Sequence, residues 1–191
     1  MFSGTPCQVA GVKNFLGKEY ENLFCIDIVC HGVGSPGVFR KYIESLEEKY
    51  KSKVYSFMFR HKKVKMGRLL QHIIVIELEN GKRLENEKDL YNTAFIQALF
   101  LRPSCGECKF ASLNRVGDIT IADFKKKHEL LPNAKGLDNF STVIINTPKG
   151  AAVFEKLQEF MEIYPVEIKD VVKENPPLRL PSKMNEKREY F

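Results

Sequence analysis

The sequence predicts an α/β fold, with α+β as the neighbouring option: a mixed sheet with leading βα units, a central antiparallel β-hairpin and flanking helices. Three patterns predict it. From Phe2 to Tyr50 the chain reads strand, loop, helix, strand, loop, helix, and both loops follow strands and carry a cysteine. An Asn80-Gly81 dipeptide between two β-rich runs marks a hairpin in the middle. Short apolar runs at Asp118–Ala122 and Ser141–Asn146 then return the chain to the sheet.

Phe2-Ser3 ends a first strand. Thr5 caps a helix with Pro6 at its first position, Val9–Leu16 forms its body, and Gly17 stops it. Leu23–Val29 is an apolar run broken only by Asp27, which reads as a buried parallel strand. Ser35 is the cap candidate for the helix Val38–Tyr50, which gathers Phe39, Tyr42, Ile43 and Leu46 on one face. Val54–Arg60 alternates as a strand, His61–Arg68 is a polar turn, and Ile73–Glu79 with Lys82–Glu87 forms the hairpin about a type I′ turn. Leu90–Leu101 is an apolar helix. Lys125–Asn139 is a loop, Thr147-Pro148 caps a helix Lys149–Met161, and a last strand lies near Val166–Ile168. The prolines and charges after Lys173 predict a tail lying over the surface or against a partner.

The chain has 191 residues, long enough for one domain with a sizeable core. The expected division is a redox domain over 1–172 and a tail over 173–191. The abrupt start, a strand entering a Gly-rich loop, suggests a fragment lacking an N-terminal part. No apolar run approaches the roughly 20 residues of a membrane span, and no basic segment precedes an apolar one as in a secretory signal. A cytoplasmic protein is expected. The net charge of +6 is spread over lysines along the chain. With no nucleic-acid motif and no basic helix interleaved with aromatics, solvated surface is the better reading, and no nucleic-acid partner is expected.

Five cysteines in such a chain point to ligands or redox groups rather than disulfides. Cys105 and Cys108 form the one Cys-x-x-Cys pair, on a turn shaped by Pro103 and Gly106 whose NH groups can point at the sulfurs. Cys7 lies in a first helical turn, where the helix dipole favours a thiolate. Cys30 follows the second strand. Cys25 sits inside the apolar run and reads as core. The remaining four suit a [4Fe–4S] cluster or a structural zinc equally. A redox dithiol at Cys105 and Cys108, or no shared site, stays open.

The loops Gly4-Thr5-Pro6-Cys7 and Cys30-His31-Gly32-Val33-Gly34-Ser35 also suggest anion or cofactor binding at helix N-termini. His31 is a candidate for a hydrogen bond or proton to a bound cofactor. Asp118 and Asp123 flank a short strand on opposite faces. One is expected to cap or bind Arg115, the other to reach the site at the strand end.

Four segments resemble one family: Gly-Thr-Pro-Cys-Gln-Val-Ala-Gly (4–11), Asp-Ile-Val-Cys-His-Gly-Val-Gly-Ser-Pro (27–36), Arg-Pro-Ser-Cys-Gly-Glu-Cys-Lys-Phe-Ala (102–111) and Arg-Val-Gly-Asp-Ile-Thr-Ile-Ala-Asp-Phe (115–124). The chain resembles the C-terminal domain of the coenzyme F420 hydrogenase/dehydrogenase beta subunit. The resemblance implies an iron–sulfur flavoprotein oxidoreductase. Cys7, Cys30, Cys105 and Cys108 would hold a [4Fe–4S] cluster. Gly4, Thr5, Pro6, His31, Gly32, Ser35 and Asp123 would bind FAD. Electrons would pass between a redox partner protein, or a missing N-terminal ferredoxin-like segment, and a soluble electron acceptor. The rival is a non-catalytic, zinc-stapled interaction module, or an inactive fragment associated with polysaccharide biosynthesis.

Overall fold

The computed structural model describes residues 1–65, 68–124, 131 and 140–190. The expected loop Lys125–Asn139 lies almost wholly outside them. In chain order the elements are β1 (Phe2–Gly4), α1 (Pro6–Leu16), β2 (Cys25–Ile28), α2 (Pro36–Tyr50), β3 (Val54–Lys65), β4 (Arg68–Leu78), β5 (Arg83–Asn86), α3 (Leu90–Ile96), α4 (Pro103–Gly106), β6 (Ile119–Asp123), β7 (Ser141–Ile145), α5 (Pro148–Leu157) and α6 (Ile168–Glu174). The mixed α/β class is as expected. The chain forms two compact units, Met1–His31 with Glu107–Ser182, and Gly32–Gly106 with the residues from Lys183 on.

The first unit holds a four-stranded sheet in the order β1-β2-β6-β7. β1, β2 and β6 run parallel, and β7 is antiparallel to β6. The leading βα unit forms because Thr5 and Pro6 start α1 and Gly17, at φ +67°, ends it. The Gln8 side chain closes the start by accepting the Thr5 N–H at 2.9 Å. Thr147 starts α5 as expected, its hydroxyl accepting the Gly150 N–H at 3.0 Å.

β2 corrects the idea of an apolar strand buried throughout. Cys25 and Asp27 are fully buried on one face, whereas Ile28 is exposed. An ionised carboxylate is tolerated there because Arg115 pairs with it.

The second unit holds a three-stranded antiparallel sheet, β3-β4-β5, with β4 central. Ile74, Ile76 and Leu78 on one face of β4 pack with Leu46, Tyr42 and Ile43 of α2. Full burial, as at Ile74 and Ile76, contributes roughly 1.5–3 kcal/mol per side chain. Phe39, Phe57, Phe59, Tyr91 and Phe100 form a connected aromatic cluster beside it, with ring centroids 4.7 Å apart for Phe57–Phe59 and 4.8 Å for Tyr91–Phe100.

Four further expectations are corrected. The polar stretch His61–Arg68 is mostly strand: β3 runs on to Lys65, and Lys65 pairs with Arg68. Its lysines suit an exposed ribbon because Lys63 and Lys65 reach Glu85 and Glu87 at 2.7 and 3.1 Å. The hairpin turn is not type I′. Gly81 takes φ +82°, but among the described non-glycine residues only Lys51 and Ala98 have positive φ. The Gly81 N–H bonds the Leu78 carbonyl at 2.9 Å, and the Leu78 N–H bonds the Lys82 carbonyl at 2.9 Å, the pattern of a three-residue loop with a left-handed glycine. The helix from Leu90 ends at Ile96, because Ala98 turns to φ +56° and carries Leu101 into a bridge with Gly34. Near Val166–Ile168 no strand forms among the described residues; α6 begins at Ile168 instead.

The tail also has more core than its composition suggests. Leu178 is fully buried against Val171 and Val172, with Val29 and Ile144 beside them. Further on, the Asn185 amide donates to the Gln97 carbonyl at 3.1 Å, and Arg188 donates to the Leu101 carbonyl.

Candidate functional site

In the first unit, parallel strand order decides where the candidate residues fall. β1 and β2 run side by side, so the segments leaving them emerge at one edge of the sheet. Gly4 ends β1, and Cys7 is the second residue of α1, exposed, with its Sγ 3.1 Å from the Thr5 hydroxyl. Cys30 lies two residues past β2, half-buried. Asp123 is the exposed last residue of β6, which is parallel to β2, so it ends at the same edge. Open α/β sheets bind ligands outside the carboxyl ends of their strands, and these residues occupy that place. A cavity of about 570 Å³ opens at the opposite edge, beside Leu23, Asp118 and Thr147. Its Lys149 is engaged in holding the Tyr20 and Leu23 carbonyls at 3.0 and 3.1 Å.

Cys25 stands apart, as expected. It is fully buried, and burial pushes its thiol above the ordinary range, with Lys13 opposing. A thiol held protonated in the core is a poor ligand.

Asp118 and Asp123 part company differently from expectation. Arg115 pairs with Asp27 rather than with either of them. Asp118 instead ties neighbouring segments together, accepting the Cys25 N–H at 2.8 Å and the Thr147 hydroxyl at 2.8 Å. Arg115 donates through Nη1 to the Phe110 and Ser112 carbonyls at 3.1 and 3.3 Å, and through Nη2 to the Ile28 carbonyl at 3.1 Å. It thereby fixes the segment just after Cys108 to the end of β2, just before Cys30. The expectation missed this anchor. Its signal was Asp27, an acid inside an apolar strand, which is costly unless a cation meets it.

In the second unit the Gly-rich loop meets the Cys-x-x-Cys turn at Cys105. The Val33 N–H donates to Cys105 Sγ at 3.3 Å. The donor comes from the facing loop; the N–H of Cys105 itself bonds the Arg102 carbonyl at 2.9 Å. Two main-chain bonds lace the loops together: Arg102 N–H to the Val33 carbonyl at 2.8 Å, and Ser35 N–H to the Phe100 carbonyl at 2.9 Å. The approach requires Gly32. Its φ is +149°, and a Cβ there would lie 2.7 Å from Leu101 Cδ1 and 3.4 Å from Cys105 Cβ. Ser35 occupies the cap position of α2, although its side chain makes no cap bond.

Among the described residues, no three His, Cys, Asp or Glu side chains are grouped closely enough to hold a metal ion. What the candidate cysteines offer a metal or cluster is their donor chemistry alone. Three of the four candidate cysteines are half-buried and Cys7 is exposed. A sulfur that accepts a backbone N–H is what a cluster thiolate needs.

No helix among the described residues is long and apolar enough to cross a membrane. No curated protein matches the chain. Among solved structures, a chain of the F420-reducing [NiFe] hydrogenase complex from Methanosarcina barkeri aligns at 17% identity with a TM-score of 0.48. The alignment covers 92% of this chain and 56% of that one, so this chain spans little more than half its length. The family model described as the C terminus of the coenzyme F420 hydrogenase/dehydrogenase beta subunit matches residues 1–171. With nearly its whole length matched, the chain belongs to the coenzyme F420 hydrogenase/dehydrogenase beta subunit family, in its C-terminal part.

Proposed function

We propose that this chain is a cytoplasmic electron-transfer subunit, an iron–sulfur flavoprotein in which Cys7, Cys30, Cys105 and Cys108 ligate a [4Fe–4S] cluster. Gly4, Thr5, Pro6, His31, Gly32, Ser35 and Asp123 bind FAD. The observation that carries the reading is the Val33 N–H held on Cys105 Sγ at 3.3 Å by a loop that only glycine permits. An N–H on a ligating sulfur stabilises the more negative, reduced state and so raises a cluster potential. Family membership supports the rest.

When bound, the flavin supplies a two-electron to one-electron switch between a soluble acceptor and the cluster. The chain's own residues place and tune. Thr5 sets a hydroxyl beside Cys7, and Arg115 fixes the two segments that carry Cys30 and Cys108. The redox partner is a second protein, or a ferredoxin-like segment.

Anaerobic reconstitution with iron and sulfide tests the reading. Broad visible absorption with stoichiometric iron and sulfide is expected, and flavin released on heating reports the second cofactor. Cys108→Ala should lower the iron content and Cys25→Ala should leave it intact. A colourless protein with stoichiometric zinc, or equal iron loss in both variants, sinks the proposal.

A further inference from the structure

Ser182 makes two contacts with one residue of the Cys30 loop. Its Oγ lies 3.2 Å from His31 Nδ1 and also bonds the His31 carbonyl oxygen. Both residues belong to the first unit and both are half-buried. The serine is held in place from upstream, because Leu178, four residues earlier, is fully buried.

Proton counting decides the roles. A serine hydroxyl has one proton to donate and lone pairs to accept with. A carbonyl oxygen only accepts, so the hydroxyl proton goes to the His31 carbonyl. The contact with Nδ1 is then satisfied in one way: Nδ1 carries a proton and donates it to Oγ.

We propose that Ser182 is a positioning residue for His31, fixing its neutral imidazole as the Nδ1–H tautomer and placing the ring's lone pair on Nε2. Whatever Nε2 meets, it meets as an acceptor. A ligand group recognised by neutral His31 is therefore an N–H or O–H donor, not a carbonyl. The tautomer stands on geometry alone; its use in cofactor binding rests on the function proposed above. The serine lies in a segment whose composition suggests only a surface tail, and the geometry gives that segment a part in the candidate site.

The test is nitrogen NMR on the full chain labelled at histidine, without added cofactor, at alkaline pH. Two-bond proton–nitrogen correlations distinguish a pyrrole-like from a pyridine-like ring nitrogen. The His31 pattern is identified by its loss in His31→Gln. In the unsubstituted protein Nδ1 should be pyrrole-like and Nε2 pyridine-like. Ser182→Ala should lose that pattern towards the Nε2–H form that free imidazole side chains favour, and Ser182→Thr should keep it. A pyridine-like Nδ1 in the unsubstituted protein overturns the proposal, even if Ser182→Ala does not fold. An unchanged pattern in a folded Ser182→Ala protein overturns it too. Flavin content read on the same protein separates the two ideas: absent flavin with an Nδ1–H ring removes the cofactor role and leaves the tautomer standing.

Discussion

Arg115 and Asp27 form an ion pair sealed from solvent: Nη2 stands 2.5 Å from Oδ1, and the two side chains are 1% and 0% exposed. Every part of the pair is engaged. Asp27 also accepts the Gly117 N–H at 2.8 Å and the Thr120 hydroxyl at 2.8 Å. The Asn146 amide closes the network on Thr120 Oγ1 at 2.9 Å. A buried pair of this kind offsets its own desolvation only while both partners are present.

Asp27→Ala leaves the guanidinium buried without its counter-charge. Such truncations cost about 3–5 kcal/mol. Urea unfolding of the cofactor-free protein should show that loss for Asp27→Ala and a comparable one for Arg115→Met. Arg115→Lys should not restore it, because one ammonium cannot reproduce a fork reaching Asp27, Ile28, Phe110 and Ser112. A loss within the roughly 0–1 kcal/mol of an exposed ion pair would show the network to be dispensable.

Gly32 and Gly11 make a matched pair. At Gly32, φ is +149° and a new Cβ would collide with Leu101 at 2.7 Å; at Gly11, inside α1, nothing lies within 4 Å. Gly32→Ala should cost about 1–3 kcal/mol from strain and overpacking. Gly11→Ala should stabilise by about 0.4–1 kcal/mol, through helix propensity and a less flexible unfolded chain. Denaturant midpoints of the two variants check both signs. If both substitutions stabilise, the close approach of the Gly32 loop to Leu101 and Cys105 is not maintained in solution.

Much of this was legible in the residues. Caps placed the starts of α1 and α5 and a Gly stop the end of α1, because such signals act within one turn and need no tertiary information, whereas α5, with no stop signal, ends at Leu157 and not at the expected Met161. Both leading strands and the core role of Cys25 were legible for the same reason. What escaped was long-range. Arg115 could have met Asp27, Asp118 or Asp123, and 88 residues of chain separate it from the one it chose. The end of α3 escaped because Ala98 takes a left-handed backbone that alanine's propensity argues against, imposed where Ala98, Phe100 and Leu101 are all buried. Of the candidate site, residue types and loops could be read, but not that Val33 would supply the N–H to Cys105, nor that Ser182 would reach His31 across 151 residues.

Tyr42 gives the second unit a dependence on alkaline pH. Its hydroxyl donates to Asp89 Oδ2 at 2.5 Å, and burial first, then the Asp89 hydrogen bond and charge, push the phenol well above its usual value. The folded state therefore keeps this proton to higher pH than the unfolded state does. The contribution is complete below the ordinary tyrosine range near 10 and is lost as pH rises through and beyond it. Tyr91, also raised by burial, adds in the same direction. Urea midpoints should fall more steeply above about pH 10 for the unsubstituted protein than for Tyr42→Phe. Tyr42→Phe should itself lose about 1.5–3 kcal/mol near neutrality, the scale of a hydrogen bond to a charged group. Parallel curves for the two proteins would show that the phenol is not held neutral by Asp89.

Leu178 tests whether the residues after α6 belong to the core. The side chain is fully buried with Val171 and Val172, and Val29 and Ile144 from β2's end and β7 lie against the cluster. Leu178→Ala removes buried methyl groups and leaves a cavity, at a cost of about 2–5 kcal/mol. Leu180, two residues on and largely exposed, is the control; its alanine variant should stay within about 0.5 kcal/mol of the parent. The same substitution should loosen the tether that holds Ser182 on His31, so Leu178→Ala is expected to weaken the Nδ1–H pattern of the His31 ring while Leu180→Ala keeps it. If Leu178→Ala proves as harmless as Leu180→Ala, the segment is a surface tail after all, and Ser182 has no fixed position from which to hold the histidine.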